Sequence, residues 1–463
     1  MKRINDLLEV PYDFIVEGIT DDSRSVKKNY IFVATKGYNV DHYDYIDDAI
    51  KKGCCFVIVD RDLDITFPHI VVDKIDDYYK QLCLKYYDLS LDDFHFIGIT
   101  GTDGKTTTAS IVKELLDCAY IGTNGLKIHD DYYITNNTTP CVSELYQDLK
   151  RIKESNLSSV VMEVSSEALL HGRVDNFLFD FVAITNITGD HLNVHGSFEN
   201  YVQSKLKILS LLKPNGFAIL NGDDDHLNTI HSPKTYTFGF HSTNDYVIEK
   251  VSYYSRNTKI FLKHGNHHYH IISPFIGKYN VYNVVLAFII GLLSGIDESI
   301  LKQKIQSLPP IPGRCEFLDF GQDYDLVLDY AHTINGIKTI IDTFQNYKRI
   351  ITVTGAAGGR EKDKRPVIGK MVIEKSTIAI FTMDDPRYES VDDIIDQMVG
   401  EEKDYIRIVD RKEAIHYALS IAKMGDIVLI LGKGRDSYMA VEDKKVSYCD
   451  YDVIYDYFFQ KKN

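Results

Sequence analysis

At 463 residues the chain is longer than a single hydrophobic core usually grows, so roughly two to four domains are expected. Its 44% hydrophobic and 26% charged residues match soluble globular proteins, and no apolar run is long enough for a membrane span. A net charge of −15 excludes a general affinity for nucleic acid, although a local basic pocket could still hold phosphates. In chain order, Met1 to Phe14 lacks the apolar core and cleavage site of a secretory signal, which points to the cytoplasm. The first ninety residues then alternate β-rich runs (Tyr30 to Ala34, Cys55 to Asp60) with helical stretches such as Tyr45 to Lys52, the pattern of a small α/β domain. From Phe96 an apolar strand (FIGIT), a Gly-Thr loop and a helix-competent segment (TASIVKELLDCA) follow in the βα order of a parallel sheet. SSVVMEV, DFVAITNI and GFAILNG read as further strands, and open sheets of this kind bind ligands at the carboxyl ends of their strands. Leu308 to Gly313 concentrates proline and glycine and marks a linker. Beyond it DLVLDYAH, RIITVTGAAGG, TIAIFTMDD and DIVLILGKG are buried strands ending in polar loops, so the expected domains are 1–90, 91–311 and 312–463. The seven cysteines lack CxxC spacing and read as reduced, mostly buried small hydrophobes.

The sharpest motif is Gly101-Thr102-Asp103-Gly104-Lys105-Thr106-Thr107, placed between a strand and a helix. Glycines let backbone N–H groups face phosphate oxygens, the helix N-terminus adds partial positive charge, Lys105 can neutralise β/γ-phosphates and Thr106 can join a Mg²⁺ shell. The strict G-x-x-x-x-G-K-[ST] pattern fails, because Ile99 stands five positions before Gly104. The bland alternative is a Gly-Thr turn followed by an ordinary Lys-led helix.

Downstream, Met162-Glu163-Val164-Ser165-Ser166, Thr185-Asn186-Ile187-Thr188-Gly189-Asp190-His191 and Tyr201-Val202-Gln203-Ser204-Lys205 complete a set of islands. With the loop, they resemble the Mur ligases, and within that family the type that adds the third residue to UDP-N-acetylmuramoyl-L-alanyl-D-glutamate. The resemblance runs nearly end to end. It implies an α/β fold of three domains: a central P-loop-type parallel-sheet ATPase domain, an N-terminal α/β UDP-binding domain and a C-terminal Rossmann-like domain. It also implies ATP and Mg²⁺ as cofactors, with Glu163 and His191 as metal ligands beside Thr106, a donor set that suits a hard divalent ion. Lys205 aligns with a lysine that many members carry as a carbamate. An ordinary lysine has a pKa of about 10.4 and stays cationic, so carbamylation would require burial; from the residues alone, Lys205 reads as a helix-surface lysine beside Lys207.

Thr20-Asp21-Asp22-Ser23-Arg24 resembles the family's D-S-R element, and Phe32-Val33-Ala34 to His42 the adjacent loop, which assigns the UDP end, with Ser23, to the first domain. Asn137-Thr138-Thr139-Pro140 resembles the T-T-P element, with Ser165 and Arg173 as further contacts to the muramoyl peptide. His171 and Glu167 depart from the family's usual Gln and His, which weakens the substrate assignment of His171. Capping or Asx-turn roles remain open for Asp22, Ser23 and Asn137.

In the last third, Gly277-Lys278-Tyr279-Asn280-Val281-Tyr282-Asn283 resembles the Asn-containing hinge motif, with Asn280 near adenine. Pro312-Gly313-Arg314 resembles the element that aims an arginine at the γ-phosphate, and Leu328-Asp329-Tyr330-Ala331-His332 the strand end that meets the nucleotide, a packed strand terminus being the alternative for Tyr330 and His332. The implied reaction is attack of a substrate carboxylate on ATP, giving an acyl phosphate that an amine displaces, with Lys105, Lys205 and Arg314 as the catalytic set. Acceptor choice is implied for Asp384-Asp385-Pro386-Arg387, where the family often has D-N-P-R, together with Arg360, Gly432 and Asp436. Arg360 and Arg387 favour diaminopimelate, whereas the anion at Asp385 favours the distal ammonium of lysine. We expect lysine by a narrow margin, because a carboxylate beside a desolvated substrate carboxylate is costly. The expected partners are the UDP-muramoyl dipeptide and a free diamino acid, with no nucleic acid or membrane and a monomeric state. A folylpolyglutamate-type ligase with another carboxyl substrate and a non-catalytic nucleotide-binding paralogue are the rival readings.

Overall fold

The computed structural model describes residues 1–35, 41–62, 65–188, 192–232 and 234–459, with the side chains of residues 192 and 193 set aside. Two compact units cut across the three sequence segments: residues 1–100, 116–182 and 204–217 form the first, and 101–115, 183–203 and 218–463 the second.

In the first unit, Gly18–Thr20, Tyr30–Val33, Phe56–Val59 and His69–Val71 form a four-stranded sheet, parallel throughout. Its inner strands are continuous apolar runs, as expected where both faces are covered: Ile31, Phe32 and Val33, and all of Phe56 to Val59, are fully buried. A second set of strands places Ser159–Glu163 between His95–Thr100 and Ala119–Gly122, both parallel to it. Gly125–Ile128 and Asp131–Tyr133 extend that set antiparallel. The parallel order brings Thr100 and Glu163 to the carboxyl ends of adjacent strands, where such sheets offer their ligand sites. The helix after the glycine loop runs Lys105–Leu116, three residues earlier at each end than its apolar pattern suggested. It stops there because Asp117 adopts a left-handed conformation (φ 50°), after which Ala119–Gly122 turns to strand.

In the second unit, a six-stranded sheet has the order Glu316–Phe317, Asp325–Asp329, Asp426–Leu431, Arg349–Thr354, Ile378–Phe381, Ile406–Arg407. All neighbours are parallel except the first pair. One face packs on Ile337, Ile341, Ile368, Val372 and Ile395, the other on Ala414, Ile415, Ala418 and Ile454. Helices thus cover both sides of Rossmann-like strands that are apolar from end to end. Tyr246–Tyr253, Thr258–His264 and His267–Ser273 form an antiparallel meander whose first strand pairs parallel with Thr235–Gly239.

All seven cysteines are free thiols, four of them buried and three half-buried. Among the described residues no helix is long and apolar enough to cross a membrane.

A fully buried ion pair locks the second unit. Arg411 donates through Nε and Nη2 to Asp450 at 2.8 and 2.7 Å, and Nη2 also reaches the Leu431 carbonyl at 2.9 Å. Arg411→Ala leaves Asp450 buried without its counter-ion, so stability should fall by about 3–5 kcal/mol. The midpoint of urea denaturation reads this directly.

Candidate functional site

Two glycines shape the loop that opens the helix Lys105–Leu116. Gly101 (φ 146°) and Gly104 (φ 87°) hold backbone conformations that L side chains rarely adopt. A Cβ would stand 1.8 Å from Thr185 Oγ1 at Gly101 and 2.4 Å from Asn283 Oδ1 at Gly104. Neighbouring segments clasp the loop. Asn186 accepts the Asp103 N–H on Oδ1 at 3.0 Å and donates Nδ2 to the Asp103 carbonyl at 3.0 Å, while Thr185 Oγ1 donates to that carbonyl at 2.6 Å. Thr102 Oγ1 lies 2.8 Å from the Tyr201 hydroxyl and donates to the Thr188 carbonyl at 3.0 Å. Lys105 curls over the turn, donating Nζ to the Gly101 and Thr102 carbonyls at 2.8 and 2.9 Å. Thr106 and Thr107 are buried.

Beside the loop lies a cavity of about 720 Å³ lined in part by Asp103, Gly104, Asn186, Tyr282 and Asn283, large enough for a nucleotide-sized ligand. Asp103 Oδ2 is buried without a hydrogen bond among the described residues, an acceptor that a ligand donor would satisfy. Asn280 does not line this cavity. It is buried, donates to the Ile276 carbonyl at 2.9 Å and accepts from Asn283 Nδ2 at 3.2 Å. Asn283 is the one that reaches the loop, accepting from Thr108 Oγ1 at 3.2 Å.

Arg314 donates Nη2 to Thr106 Oγ1 at 3.0 Å, and its guanidinium lies 4.5 Å over the Tyr330 ring. Its buried Nε has no hydrogen bond among the described residues. Asp329 holds the turn that carries Arg314, accepting the Cys315 N–H at 2.6 Å and the Ala331 N–H at 2.7 Å. Burial raises the Asp329 pKa, an effect that the Arg314 charge opposes. Both carboxylate oxygens are therefore engaged within the protein. Tyr330 is a wedge: a Cβ at Gly313 or Gly434 would stand 2.5 or 2.4 Å from its ring.

Asp384 to Arg387 lies along the hairpin Tyr438–Val441/Lys444–Ser447. Arg387 (φ 52°) donates its N–H to the Ala440 carbonyl at 3.0 Å and accepts from Glu442 at 2.8 Å, bonds that sustain a strained backbone. Asp385 Oδ1 accepts Lys433 Nζ at 2.7 Å and the Ala440 N–H at 2.9 Å. Lys433 also reaches Asp436 at 3.2 Å and is only 1% exposed. Arg360 sits half-buried on the neighbouring turn, whose Gly358 donates to the Asp385 carbonyl at 2.8 Å. Glu389 fixes that turn by accepting from Gly359 N–H at 2.6 Å; hydrogen bonding from Arg365 holds its pKa at about 2. Gly432 (φ 114°) faces Asp384 Oδ2, 2.6 Å from where a Cβ would be.

The remaining candidates lie in the first unit. Glu163 is fully buried; its carboxylate accepts from the Tyr120 hydroxyl and from the Thr123 N–H at 3.0 Å. Thr139 donates to the Glu163 carbonyl at 2.8 Å and accepts the Ser165 N–H at 3.0 Å, while Arg173 donates to the Thr139 carbonyl at 3.0 Å. Thr138 is joined to this group through Thr123 at 3.1 Å. Asn137 and His171 are exposed, and burial, seconded by Arg173, lowers the His171 pKa. Ser23 is buried in a short 3₁₀ turn capped by Asp22. Lys205 is 2% exposed, which overturns the helix-surface alternative. His191 falls outside the described residues.

Three family models match the chain: Mur ligase family, catalytic domain over residues 15–82; Mur ligase middle domain over 99–291; and Mur ligase, glutamate ligase domain over 313–434. A UDP-N-acetylmuramoyl-L-alanyl-D-glutamate–2,6-diaminopimelate ligase of Bacillus cereus is 34% identical over 94% of this chain and 92% of that one. The chain belongs to the Mur ligase family. A solved structure of a ligase with the same name superposes with a TM-score of 0.65 at 26% identity, covering 98% of each chain. The fold is shared with a Thermotoga maritima MurF ligase in complex with ADP (TM-score 0.68, 20% identity, 89% of this chain and 93% of that one). As a Mur ligase, the protein is an ATP-dependent, ADP-forming ligase of peptidoglycan precursor synthesis.

Two groups in this Mur ligase escaped the sequence reading. Asn186 was within a quoted motif but carried no role, although its amide, which can donate and accept at once, suits a loop clasp. Lys433 was passed over inside Gly432-Lys433-Gly434. The Asp at position 385 was the available signal, since a carboxylate partly withdrawn from water calls for a cation.

Proposed function

We propose that this Mur ligase joins meso-diaminopimelate to UDP-N-acetylmuramoyl-L-alanyl-D-glutamate through an acyl phosphate. The observation that carries the choice of amino acid is the ion pair between Lys433 and Asp385. The expectation of lysine rested on Asp385 as an unbalanced anion. Once Lys433 pairs with it, Asp385 is no longer an unbalanced anion, and Arg387, whose buried Nε has no partner among the described residues, suits the distal carboxylate of diaminopimelate. The relatives named for 2,6-diaminopimelate agree with this choice.

In the first step the γ-phosphate lies at the glycine loop, and Lys105 and Arg314 supply the positive charge that phosphoryl transfer needs. Asp329 and Tyr330 set the direction of Arg314. The substrate carboxylate attacks the γ-phosphorus, ADP leaves, and the amine then displaces phosphate from the acyl carbon. Mg²⁺ would supply charge neutralisation for the phosphates; Thr106, Glu163 and His191 are the residues that the family resemblance assigns to hold it, a hydroxyl, carboxylate and imidazole donor set whose chemistry fits a divalent ion. Lys205, being buried, meets the condition for carbamylation. Ser23 serves the UDP end, and Thr138, Thr139, Ser165 and Arg173 the muramoyl peptide, with residues 1–90, 91–311 and 312–463 as the three functional domains.

Phosphate release with ATP, Mg²⁺ and the UDP-dipeptide should rise with meso-diaminopimelate, stay near background without an amino acid, and give a tripeptide product of matching mass. Stimulation by L-lysine alone would reverse the acceptor assignment. Folded protein that responds to neither would sink the reading.

A further inference from the structure

Lys433 is buried to 1% exposure among the acidic groups of the acceptor segment. Its Nζ stands 2.7 Å from Asp385 Oδ1 and 3.2 Å from Asp436 Oδ2, and 5.4 Å from the centre of the Tyr438 ring. Burial alone would favour loss of its proton, but Asp384, Asp436 and Asp385 outweigh that and raise its pKa, so it remains charged. The same Asp385 oxygen also takes the Ala440 N–H at 2.9 Å, and two residues on, Arg387 donates to the Ala440 carbonyl at 3.0 Å. Asp385 through its side chain and Arg387 through its backbone N–H therefore hold the two sides of one hairpin residue, Ala440, and Lys433 is the cation that balances the anion at Asp385.

We propose that Lys433 is a specificity-determining positioning residue of the acceptor site. By cancelling Asp385 and pinning it to the hairpin, it lets the loop present Arg387 to an amino acid whose distal end carries a carboxylate as well as an ammonium. Removing Lys433 exposes Asp385 as an anion, and the preference moves toward a distal ammonium alone. This inference rests on the diaminopimelate reading above. An amide at position 385 keeps an oxygen that can accept both hydrogen bonds while losing the charge, so Asp385→Asn isolates the electrostatic part.

The test is steady-state kinetics of the full chain at saturating ATP and UDP-dipeptide, with meso-diaminopimelate and L-lysine as alternative acceptors. The set is wild type, Lys433→Met, Asp385→Asn and the double variant. Lys433→Met should raise KM for diaminopimelate by about tenfold or more, with a smaller change in kcat, and improve the relative use of lysine. Adding Asp385→Asn should restore most of the diaminopimelate KM, the non-additivity expected of a directly coupled pair. Asp385→Asn alone should keep the wild-type preference. Equal loss of kcat with both acceptors and unchanged KM, or no recovery in the double variant, would overturn the proposal. If Lys433→Met does not fold, the double variant, which has neither charge, decides: retained preference for diaminopimelate supports the cancelling role, and lost preference refutes it. Wild-type enzyme that uses neither diamino acid would instead refute the underlying functional reading, an outcome visible before any variant is made.

Discussion

Replacing Lys105 with alanine should reduce substrate-dependent ATP turnover by at least about a hundredfold, the scale seen when one charge-stabilising donor is removed from a transition state. The side chain has two tasks. In the structure it donates to the Gly101 and Thr102 carbonyls, closing the turn on itself. With phosphate present it can exchange those carbonyls for phosphate oxygens, a stronger acceptor set for an ammonium. Alanine performs neither task, so nucleotide affinity and turnover should fall together. Titration with a fluorescent ATP analogue, alongside phosphate release, measures both. A variant that binds as the wild type does and turns over normally would remove Lys105 from the reaction.

Arg314→Ala should behave differently. The guanidinium bonds Thr106 on one side and lies over Tyr330 on the other, in a turn fixed by Asp329. A planar cation so constrained is suited to charge that develops during transfer more than to ground-state binding. We expect kcat to fall by about a hundredfold to a thousandfold with a much smaller change in KM for ATP. Arg314→Lys should recover little, because an ammonium can neither stack on Tyr330 as a plane nor reach with two parallel donors. A rise in KM at constant kcat would assign Arg314 to nucleotide binding alone.

The residues that were legible in the sequence are those whose chemistry is local. The glycine loop announces itself through the spacing of Gly101, Gly104 and Lys105 between a strand and a helix, and the apolar strands Asp325–Asp329, Arg349–Thr354 and Asp426–Leu431 are visible as unbroken hydrophobic runs. Contacts between distant segments were not legible. Asn186 and Asn283 approach the loop from positions far along the chain, and nothing in their immediate surroundings distinguishes a clasp from a surface amide. Asn280, given by the resemblance as lying near adenine, donates to the Ile276 carbonyl, a bond that its place in the motif does not reveal. The burial of Lys205 is not legible from the residues alone, which offer a surface lysine beside Lys207 on a short helix; only the family resemblance pointed inward. Arg411 and Asp450 likewise reveal their pairing only in three dimensions. The meander of Tyr246 to Ser273 has half-exposed strands, whose alternating pattern is weaker than that of the fully buried ones.

Tyr330 has a consequence for the modularity of this enzyme. Its ring fills the space between Gly313, next to the arginine assigned to ATP, and Gly434, inside the segment assigned to the incoming amino acid. A chimera that imports another ligase's acceptor segment must therefore preserve a residue without a side chain at position 434, or displace the ring on which Arg314 rests. Successful exchanges should be those that carry the segments around 313, 330 and 434 together.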